Sequence, residues 1–388
     1  MSTAKRVIRV GIAGQGRSGY SIHAACLREA TERYRITAVA DQIAERRRDA
    51  EREFGARAYS DYHELLRQGG FDVFVNALPS PLHVPATIEA LQAGYHVVCE
   101  KPMAATVREL DRMETVARES GRLLAPFQNN RFQPFFIKIQ EVLASGVLGQ
   151  IISIRSEWGH FSRRWDWQTF QCNMGGALFN TGPHAIDQAL MLFDATRMPA
   201  VFCRMSCHNT LGGDADDLCA ISLHGPNAPL VEITLSGYNA YPHRDMYSIS
   251  GTLGGLTASW DAVQWKYYDP AQAPKQEIWT PWSLNRQYPS EKLPWVEQSW
   301  KLDQAQVTAS VGYTLKSLPS GPAMIYANLH DMLVHDAQPL ITIAQIRRQI
   351  AVIEECHRQN PLPVKREQWL TSSPVAPREL AEQPPSVS

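Results

Sequence analysis

The sequence predicts an α/β protein with two domains: an N-terminal doubly wound parallel sheet, then an α+β domain with a mainly antiparallel open sheet. In the first third of the chain, short apolar runs alternate with amphipathic stretches, whereas segments with period-two alternation follow beyond about residue 128. A chain of 388 residues is also too long for one ordinary core. We therefore predict domains at residues 1–127 and 128–366, and a disordered tail at residues 367–388 that lacks any periodic pattern.

The elements of the first domain are short apolar strands, each followed by a segment with helical spacing. We predict strands at residues 7–13, 36–40, 71–77, 95–99 and 123–127. We predict helices at residues 21–29, 43–54, 62–67, 85–93 and 107–120, with Asp61 as an N-cap and Gly94 as a stop. This alternation is typical of a parallel sheet covered by helices on both faces.

The second domain has strands separated by glycine and proline, which is typical of antiparallel sheets. We predict strands at residues 151–158, 218–224, 230–238, 247–250 and 263–268. An irregular aromatic loop at 161–170 and a helix near 183–193 lie between the first two strands, and a late helix covers 343–359.

Composition and charge exclude several classes of protein. The net charge is −1 and basic residues form no dense stripe, which argues against nucleic-acid binding. The N-terminus lacks the apolar region of a signal peptide, and no apolar run approaches the roughly 18 residues of a membrane span. The seven cysteines are scattered; Cys203 and Cys207 would share a strand face, but no second pair with zinc spacing follows. We expect a cytoplasmic protein with no metal site and no membrane partner.

A glycine-rich turn, Gly14-Gln15-Gly16-Arg17-Ser18-Gly19, lies between the first predicted strand and the first helix. In this position Gly14 permits a tight turn, Gly16 lets the backbone approach a pyrophosphate, and Gly19 allows close packing of helix on strand. The phosphates would then bind the amides at the helix N-terminus. The turn therefore predicts a dinucleotide site, and a plain strand–helix turn is the alternative.

The second predicted strand ends at Asp41. An acid at this position accepts hydrogen bonds from the ribose hydroxyls of NAD and repels the 2′-phosphate of NADP. Arg46, about one helical turn further on, keeps NADP open because its guanidinium can pair with a phosphate. We expect NAD as the cofactor.

Three further segments carry polar groups suited to redox chemistry: 76–83, 100–102 and 175–187. The first two follow strands, and ligands of open parallel sheets bind at the carboxyl ends of the strands. Oxidation of an alcohol needs a base for the hydroxyl proton and a positive group near the oxygen, which fits His184 and Lys101. Asn180 could share the face of His184 on a helical turn. We therefore predict cofactor contacts from Leu78, Pro79, Ser80, His83, Glu100, Lys101 and Asn129, and catalytic roles for Lys101, His184 and Asn180.

Each of these residues also has a structural interpretation. Lys101 before a proline can be a solvated loop charge, and His184 can be a helix-start residue hydrogen-bonded to the backbone. Asp187, one turn beyond His184, is as well suited to a structural hydrogen bond. Asn129 and Arg131 follow the last predicted strand of the first domain, where contact with nicotinamide or substrate and a structural role are equally open.

The aromatic loop predicts a carbohydrate pocket. Sugars stack their C–H faces on aromatic rings while polar groups bind their hydroxyls, so we predict substrate contacts from Trp158, Arg163 and Trp165, together with Arg131, Asn180 and His184. Arg163, Arg164 or Arg244 could instead pair with an anionic group on the substrate. The alternative is that the aromatic side chains pack a domain interface and the arginines are solvated. Tyr238, Tyr241 and His243 are further pocket candidates.

Taken together, these motifs resemble the glucose–fructose oxidoreductase/inositol dehydrogenase (Gfo/Idh/MocA) family over roughly residues 6 to 360. The resemblance implies a Rossmann domain followed by a substrate domain whose open sheet often builds homodimers or homotetramers. It places the residues matching Lys101 and His184 beside the nicotinamide, with the histidine usually the acid/base and the lysine orienting the hydroxyl. The position of Asn180 is commonly Asp in inositol dehydrogenase-like members, and an asparagine cannot relay a proton or stabilise an imidazolium as a carboxylate does.

Three functions follow from these residues. The first is NAD-dependent oxidation of a secondary hydroxyl on a sugar, cyclic polyol or sugar derivative. The second is an NAD-dependent glycosidase that oxidises a sugar transiently, eliminates its substituent and restores the hydride. The third is a non-catalytic NAD-binding regulator, against which the presence of both Lys101 and His184 argues.

Overall fold

The computed structural model describes residues 7–241, 245–276, 288–303 and 321–365. His243, Arg244 and the predicted tail at 367–388 lie outside these residues. Two sheets organise the described chain, one of six strands and one of eight. No helix in the described ranges is long and apolar enough to span a membrane.

The first sheet is parallel throughout, with the strand order β3-β2-β1-β4-β5-β6. Its strands are β1 (Ile8–Ala13), β2 (Tyr34–Ala40), β3 (Arg57–Tyr59), β4 (Val73–Asn76), β5 (His96–Cys99) and β6 (Leu124–Pro126). The helices between them are α1 (a π-helical turn Gly19–Ala24 continued by Ala25–Glu29), α2 (Ala44–Phe54), α3 (Tyr62–Gln68), α4 (His83–Gln92) and α5 (Val107–Ser120). This order confirms the predicted doubly wound sheet, whose topological switch point lies between β1 and β4.

Local sequence explains where these elements begin and end. The central strand β4 is buried along its whole length, as expected for a parallel strand covered on both faces. Asp61 caps α3 by accepting from the amide of His63 at 2.6 Å, as the sequence predicted. Thr106 and Glu109 form a capping box at the start of α5. Because β1, β4 and β5 are parallel neighbours, the loops that follow them meet at the carboxyl edge of the sheet.

The second sheet has the order β14-β13-β12-β11-β7-β10-β9-β8 and is antiparallel except for the β7–β10 pair. The helices before and within it are α6 (Pro134–Ala144), α7 (Ala177–Asn180) and α8 (Gly182–Phe193). Its strands are β7 (Ile151–Gly159), β8 (Ala200–Ser206), β9 (Leu218–His224), β10 (Leu230–Ser236), β11 (Tyr247–Gly251), β12 (Gly254–Ala258), β13 (Ala262–Tyr268) and β14 (Trp295–Lys301). The predicted mainly antiparallel sheet is confirmed.

The two late helices connect the two halves of the molecule. In α9 (Gly321–His335), Tyr326 is buried in the first core, and its carbonyl accepts the Tyr34 hydroxyl at 2.6 Å. The helix α10 (Ile343–Gln359) packs Ile350 into the first core and Val352 into the second. The segment that the sequence assigned to the second domain therefore contributes side chains to both cores.

Several elements were not predicted, and the positions of two cysteines differ from the prediction. The missed elements are β3, β8, β12, β14, α6 and α9. The short β3 has three residues, and β12 begins with two glycines, so neither shows a clear strand pattern. Cys203 lies in β8, but Cys207 lies beyond its end; the Cys203 sulfur is 3.5 Å from that of Cys219 on β9.

Candidate functional site

One cavity of about 1540 Å³ collects the polar segments singled out in the sequence. It is lined by the glycine turn after β1, the ends of β2, β4 and β5, the aromatic loop after β7, and the junction of α7 with α8. The carboxyl edge of the parallel sheet therefore faces one end of the second sheet. The volume of the cavity exceeds the usual range for a single small ligand, roughly 300–1,000 Å³, so the cavity has room for more than one such molecule.

The glycine turn is shaped by steric contacts that exclude side chains. Gly14 has φ +90°, and a Cβ there would lie 2.3 Å from the carbonyl oxygen of Ala77. A Cβ on Gly19 would lie 1.8 Å from the carbonyl oxygen of Gly14. Both positions thus require glycine, Gly14 for the turn and Gly19 for the packing of α1 on β1, as the sequence predicted.

Asp41 closes the turn from the neighbouring strand. One carboxylate oxygen accepts from the amide of Gln15 and the other from the amide of Ile43, each at 2.8 Å. The guanidinium of Arg46 lies 3.4 Å from the same carboxylate. Asp41 and Arg46 both line the cavity. The carboxylate that favours NAD and the guanidinium that could bind the phosphate of NADP therefore form an ion pair with each other.

Glu100 follows β5, and its buried carboxylate accepts hydrogen bonds from three groups. It accepts from the hydroxyl of Ser18, the amide of Lys101 at 3.0 Å and the Nε2 of His23 at 3.2 Å. Burial alone would raise its pKa, but the contacts with His23, the charge of Lys101 and the Ser18 hydrogen bond together lower its pKa to about 2. Glu100 is therefore an anion that joins the glycine turn to the segment carrying Lys101.

Lys101 lines the cavity and is held in place by a backbone contact. Its Nζ donates to the backbone carbonyl of Asn180 at 2.8 Å, so the contact does not depend on the identity of side chain 180. Burial lowers the pKa of Lys101, the charges of Arg17 and Arg164 lower it further, and Glu100 opposes the shift. The ammonium is therefore more acidic than that of an ordinary lysine.

His184 lies in the first turn of α8 and lines the same cavity. The carbonyl of the preceding residue, Pro183, accepts a hydrogen bond from Gln349 of α10 at 2.7 Å, which fixes this turn. Burial and the positive charge of Lys101 lower the pKa of His184 to about 3. Its Nδ1 is buried and has no hydrogen-bond partner among the described residues. His184 is therefore a neutral imidazole, since the charge of Glu100 opposes the shift without cancelling it.

The aromatic loop is only partly turned toward the cavity. Arg163 and Arg164 line it, and Arg164 pairs with Asp166 in the same loop. Trp165 is 75% exposed and does not line the cavity, contrary to its predicted substrate contact. Most residues of the loop line the cavity, among them Trp167, so the sequence pattern does not reveal which tryptophan turns outward. Trp158 at the end of β7 is buried and does line the cavity.

Arg131 is a structural residue and not part of the cavity wall, which corrects the prediction of a substrate contact. Its side chain is 4% exposed, and its Nε donates to Asp187 at 2.9 Å. A second guanidinium nitrogen, Nη1, donates to Gln345 of α10 at 2.6 Å. Since all of these contacts lie inside the protein, Arg131 ties the end of the first domain to α8 and α10.

The structure brings most of the predicted residues to one place. Those that line the cavity are Gly14, Gly16, Arg17, Ser18, Asp41, Leu78, Pro79, Ser80, His83, Glu100, Lys101, Asn129, Trp158, Arg163, Asn180 and His184. Gln15, Gly19, Arg131 and Trp165 are not among its lining residues. Gln15 nevertheless contributes its amide to Asp41, and Gly19 contributes the packing of α1.

Trp260 and Asp216 are among the residues of the cavity wall that the sequence analysis missed. Trp260 lies between β12 and β13, and its ring makes a T-shaped contact with Trp158. Asp216 is buried, accepts from the amide of Leu178 at 2.8 Å, and thereby holds the start of α7; burial raises its pKa to about 7. The cluster of acids at 214–217 before a strand was the signal for Asp216, whereas nothing in the local sequence marks Trp260.

Comparison with protein families identifies both halves of the chain. Residues 8–127 match the model described as oxidoreductase family, NAD-binding Rossmann fold. Residues 136–257 match the model described as GFO/IDH/MocA C-terminal domain. The first match ends just after β6, the last strand of the first sheet, and the second begins at residue 136, in agreement with the change of character seen in the sequence near residue 128.

Curated relatives match over part of their length. The scyllo-inositol 2-dehydrogenase (NADP(+)) IolW of Bacillus subtilis is 31% identical over 189 residues, 48% of this chain and 52% of that protein. The trans-1,2-dihydrobenzene-1,2-diol dehydrogenase of Mus musculus is 29% identical over 226 residues, 57% of this chain and 65% of that protein. The chain thus spans about half to two thirds of the length of these two relatives.

Solved structures share the fold over nearly the whole chain. An NAD-binding protein from Listeria innocua has a TM-score of 0.73 and 23% identity, covering 91% of this chain and 97% of that one. The WlbA dehydrogenase from Bordetella pertussis, in complex with NADH and UDP-GlcNAcA, has a TM-score of 0.70 and 22% identity, covering 91% and 96%. At these identities the likeness establishes the fold.

Proposed function

The chain belongs to the Gfo/Idh/MocA oxidoreductase family, and on that premise we propose that it transfers a hydride between NAD and a secondary hydroxyl of a sugar, cyclic polyol or sugar derivative. The observation that carries this proposal is the placement of Lys101 and His184 in the cavity that also contains the glycine turn. A binding protein would need the turn but not a lysine and a histidine beside it.

The residues present fit a dinucleotide. The tight approach of Gly14 and Gly19 leaves the start of α1 open to the cavity, where backbone amides favour a pyrophosphate. Asp41 would bind the adenosine ribose, and the residues after β4 and β5 would flank the nicotinamide. When bound, the nicotinamide supplies the hydride acceptor or donor, while the chain itself must orient the hydroxyl and manage its proton.

We assign the proton transfer to Lys101 and the orientation of the hydroxyl to His184. His184, with a pKa of about 3, is a weak base and therefore takes a proton from an alcohol with little driving force. Lys101 has a lowered pKa and keeps its position through the Asn180 carbonyl in either protonation state, since a neutral amine still has N–H donors. This assignment reverses the usual roles that the family resemblance implied, because burial and the charge of Lys101 leave His184 a weak base.

The cavity wall supports a cyclic, hydroxyl-rich substrate. Trp158 and Trp260 offer apolar rings beside the polar groups of Asn180 and Thr181. Such a mixture suits rings that have C–H faces and hydroxyl edges. The names of the two relatives refer to a cyclic polyol and a cyclic diol, which agrees with this class.

For the cofactor we propose NAD in preference to NADP. The carboxylate of Asp41 lines the cavity at the end of β2 and is paired with Arg46, so a 2′-phosphate bound there would meet a negative charge and an arginine already engaged in an ion pair. The Bacillus subtilis relative is named for NADP(+), and the choice is therefore a property to test on this chain.

A substrate panel followed at the NADH absorbance tests the proposed function. We expect NADH to accumulate with cyclic polyols or free sugars. Lys101→Met should slow this accumulation about 10²–10⁴-fold, while Lys138→Met, at a lysine outside the cavity that pairs with Glu141, should keep it. Sugar release from a glycoside without NADH accumulation would instead support the redox-neutral glycosidase. NAD binding without turnover of any member of the panel would contradict the proposal.

A further inference from the structure

His83 is a buried histidine that bridges two loops of the cofactor cavity. It is the first residue of α4 and is 2% exposed. One loop follows β4 and carries Leu78; the other follows β5 and carries Lys101. Both Leu78 and Lys101 line the cavity. The imidazole of His83 therefore lies between the two loops, where its contacts can fix their relative positions.

Both ring nitrogens of His83 face groups that only accept hydrogen bonds. Nδ1 lies 2.7 Å from the carbonyl oxygen of Pro102, and Nε2 lies 2.8 Å from the carbonyl oxygen of Leu78. A neutral imidazole has a single N–H, whereas an imidazolium has two. In the neutral form, one nitrogen lone pair would face a carbonyl lone pair at hydrogen-bond distance. Only protonated His83 can therefore bind both loops at once.

The other buried histidine of this domain provides a contrast. His23 Nδ1 lies 2.7 Å from the hydroxyl of Tyr326, and Nε2 lies 3.2 Å from a carboxylate oxygen of Glu100. A hydroxyl can donate, so a neutral His23 with its proton on Nε2 satisfies both contacts. Of these two histidines, only His83 needs a second proton to donate a hydrogen bond from each ring nitrogen.

We propose that His83 is a positioning residue of the cofactor site, and that its protonation joins the loop after β4 to the loop after β5 and tightens the binding of NAD. The inference rests on the proposed cofactor but not on the proposed reaction. In the neutral state His83 holds one loop only, and the carbonyl of the other is left without its donor.

The expected pH dependence follows from the groups around His83. Burial lowers the pKa of His83 below its ordinary value and the charge of Lys101 adds to this shift, while the two carbonyl contacts and the charge of Glu100 oppose it only in part. Glu100, whose pKa is about 2, stays ionised across this range. Because the joined state binds the extra proton, NAD affinity should be highest below the pKa of His83. It should weaken about three- to ten-fold as pH rises through that pKa, the effect of one hydrogen bond.

Imidazole NMR provides the test that does not depend on any variant. With NAD+ bound at a pH below the transition in affinity, we expect both ring nitrogens of His83 to carry a proton. A neutral His83 with a single N–H in the NAD-bound protein on the acid side of that transition would overturn the proposal.

Binding measurements provide the second test. The dissociation constant of NAD+ should depend on pH in the wild type and lose that dependence in His83→Gln, which cannot be protonated. His63→Gln is the matched control, because His63 is an exposed histidine that lines the same cavity and pairs with Asp61. If His63→Gln removed the pH dependence and His83→Gln kept it, His83 would not be the residue responsible.

Discussion

Lys101 and His184 show how the same burial acts on two bases. Burial disfavours the charged form of each, and the charge of Lys101 adds to the effect on His184. The result is a neutral imidazole beside an amine that is more acidic than usual. Neither shift can be inferred from the residue types alone, because both depend on which charges lie nearby.

The first prediction concerns the pH dependence of oxidation. The neutral amine of Lys101 is the form that accepts a proton, so kcat/KM for oxidation should rise as pH increases through its lowered pKa, and the reverse reaction should show the opposite trend. Lys101→Met should lower kcat about 10²–10⁴-fold, the usual size of an acid–base contribution. Rate profiles over the neutral to alkaline range measure both effects. If the rising limb survived in Lys101→Met and vanished in His184→Asn, the proton would belong to His184.

The second prediction concerns cofactor choice at Asp41. Asp41→Ser should remove the repulsion of a 2′-phosphate and release Arg46 from its 3.4 Å ion pair. We expect the ratio of kcat/KM for NAD to that for NADP to fall at least about tenfold, the value of one charge-assisted hydrogen bond. The double variant Asp41→Ser with Arg46→Ala is the control, and it should lose the gain with NADP. An unchanged ratio in Asp41→Ser would contradict the assignment.

At the scale of elements, α8 is fixed from several sides because it must present His184. Its first turn receives a hydrogen bond from Gln349 of α10, and Asp187 binds Arg131 from the segment after β6. Both partners of the Arg131–Asp187 pair are buried, so removing either leaves an uncompensated charge in the interior. The orientation of the catalytic turn therefore depends on contacts that do not touch the cavity.

The third prediction follows from this ion pair. Arg131→Ala should lower the free energy of unfolding by about 3–5 kcal/mol, as expected for breaking a buried pair. Arg52→Ala is the control, since its pair with Asp49 on α2 is exposed and should change the free energy of unfolding little. Urea denaturation measures both. A raised KM with unchanged stability in Arg131→Ala would restore the substrate contact predicted from the sequence.

For the whole molecule, the second sheet has one covered face and one open face. The open face exposes Phe202 at 64% and Leu230 at 42%, near the pair formed by Arg155 and Glu232. Apolar side chains with both signs of charge on one flat surface are suited to self-association about a two-fold axis. We therefore propose that the chain forms homodimers or homotetramers through this face.

The fourth prediction tests that surface. Phe202→Glu should shift the protein toward the monomer, because a buried carboxylate without a partner is costly in an interface. Ile137→Glu on α6 introduces the same charge at an exposed position off this sheet and should leave the assembly unchanged. Sedimentation velocity distinguishes the species. A monomeric wild type would contradict the proposed interface.

Much of the cofactor half was predictable because its signals are local. Strand–turn–helix order, the cap at Asp61 and the glycine turn are each set within a few residues, and they were found at the predicted places. The aromatic loop was less predictable, since which side chains turn inward depends on the chain packed beneath them. Trp158 lines the cavity while Trp165 is solvent-exposed, although both were selected for the same reason.

By itself the sequence determined the fold class, the family and the dinucleotide turn, because hydrophobic periodicity and close glycine packing are properties of contiguous segments. Only the tertiary structure decided the charge, burial and hydrogen-bond partners of the residues in the site. It showed that Lys101 is held by the carbonyl of residue 180, that Arg131 belongs to a buried ion pair, and that His83 faces two carbonyl oxygens. Charge, burial and hydrogen-bond partners depend on residues far apart in the chain, and these become neighbours only when the two sheets and the late helices pack together.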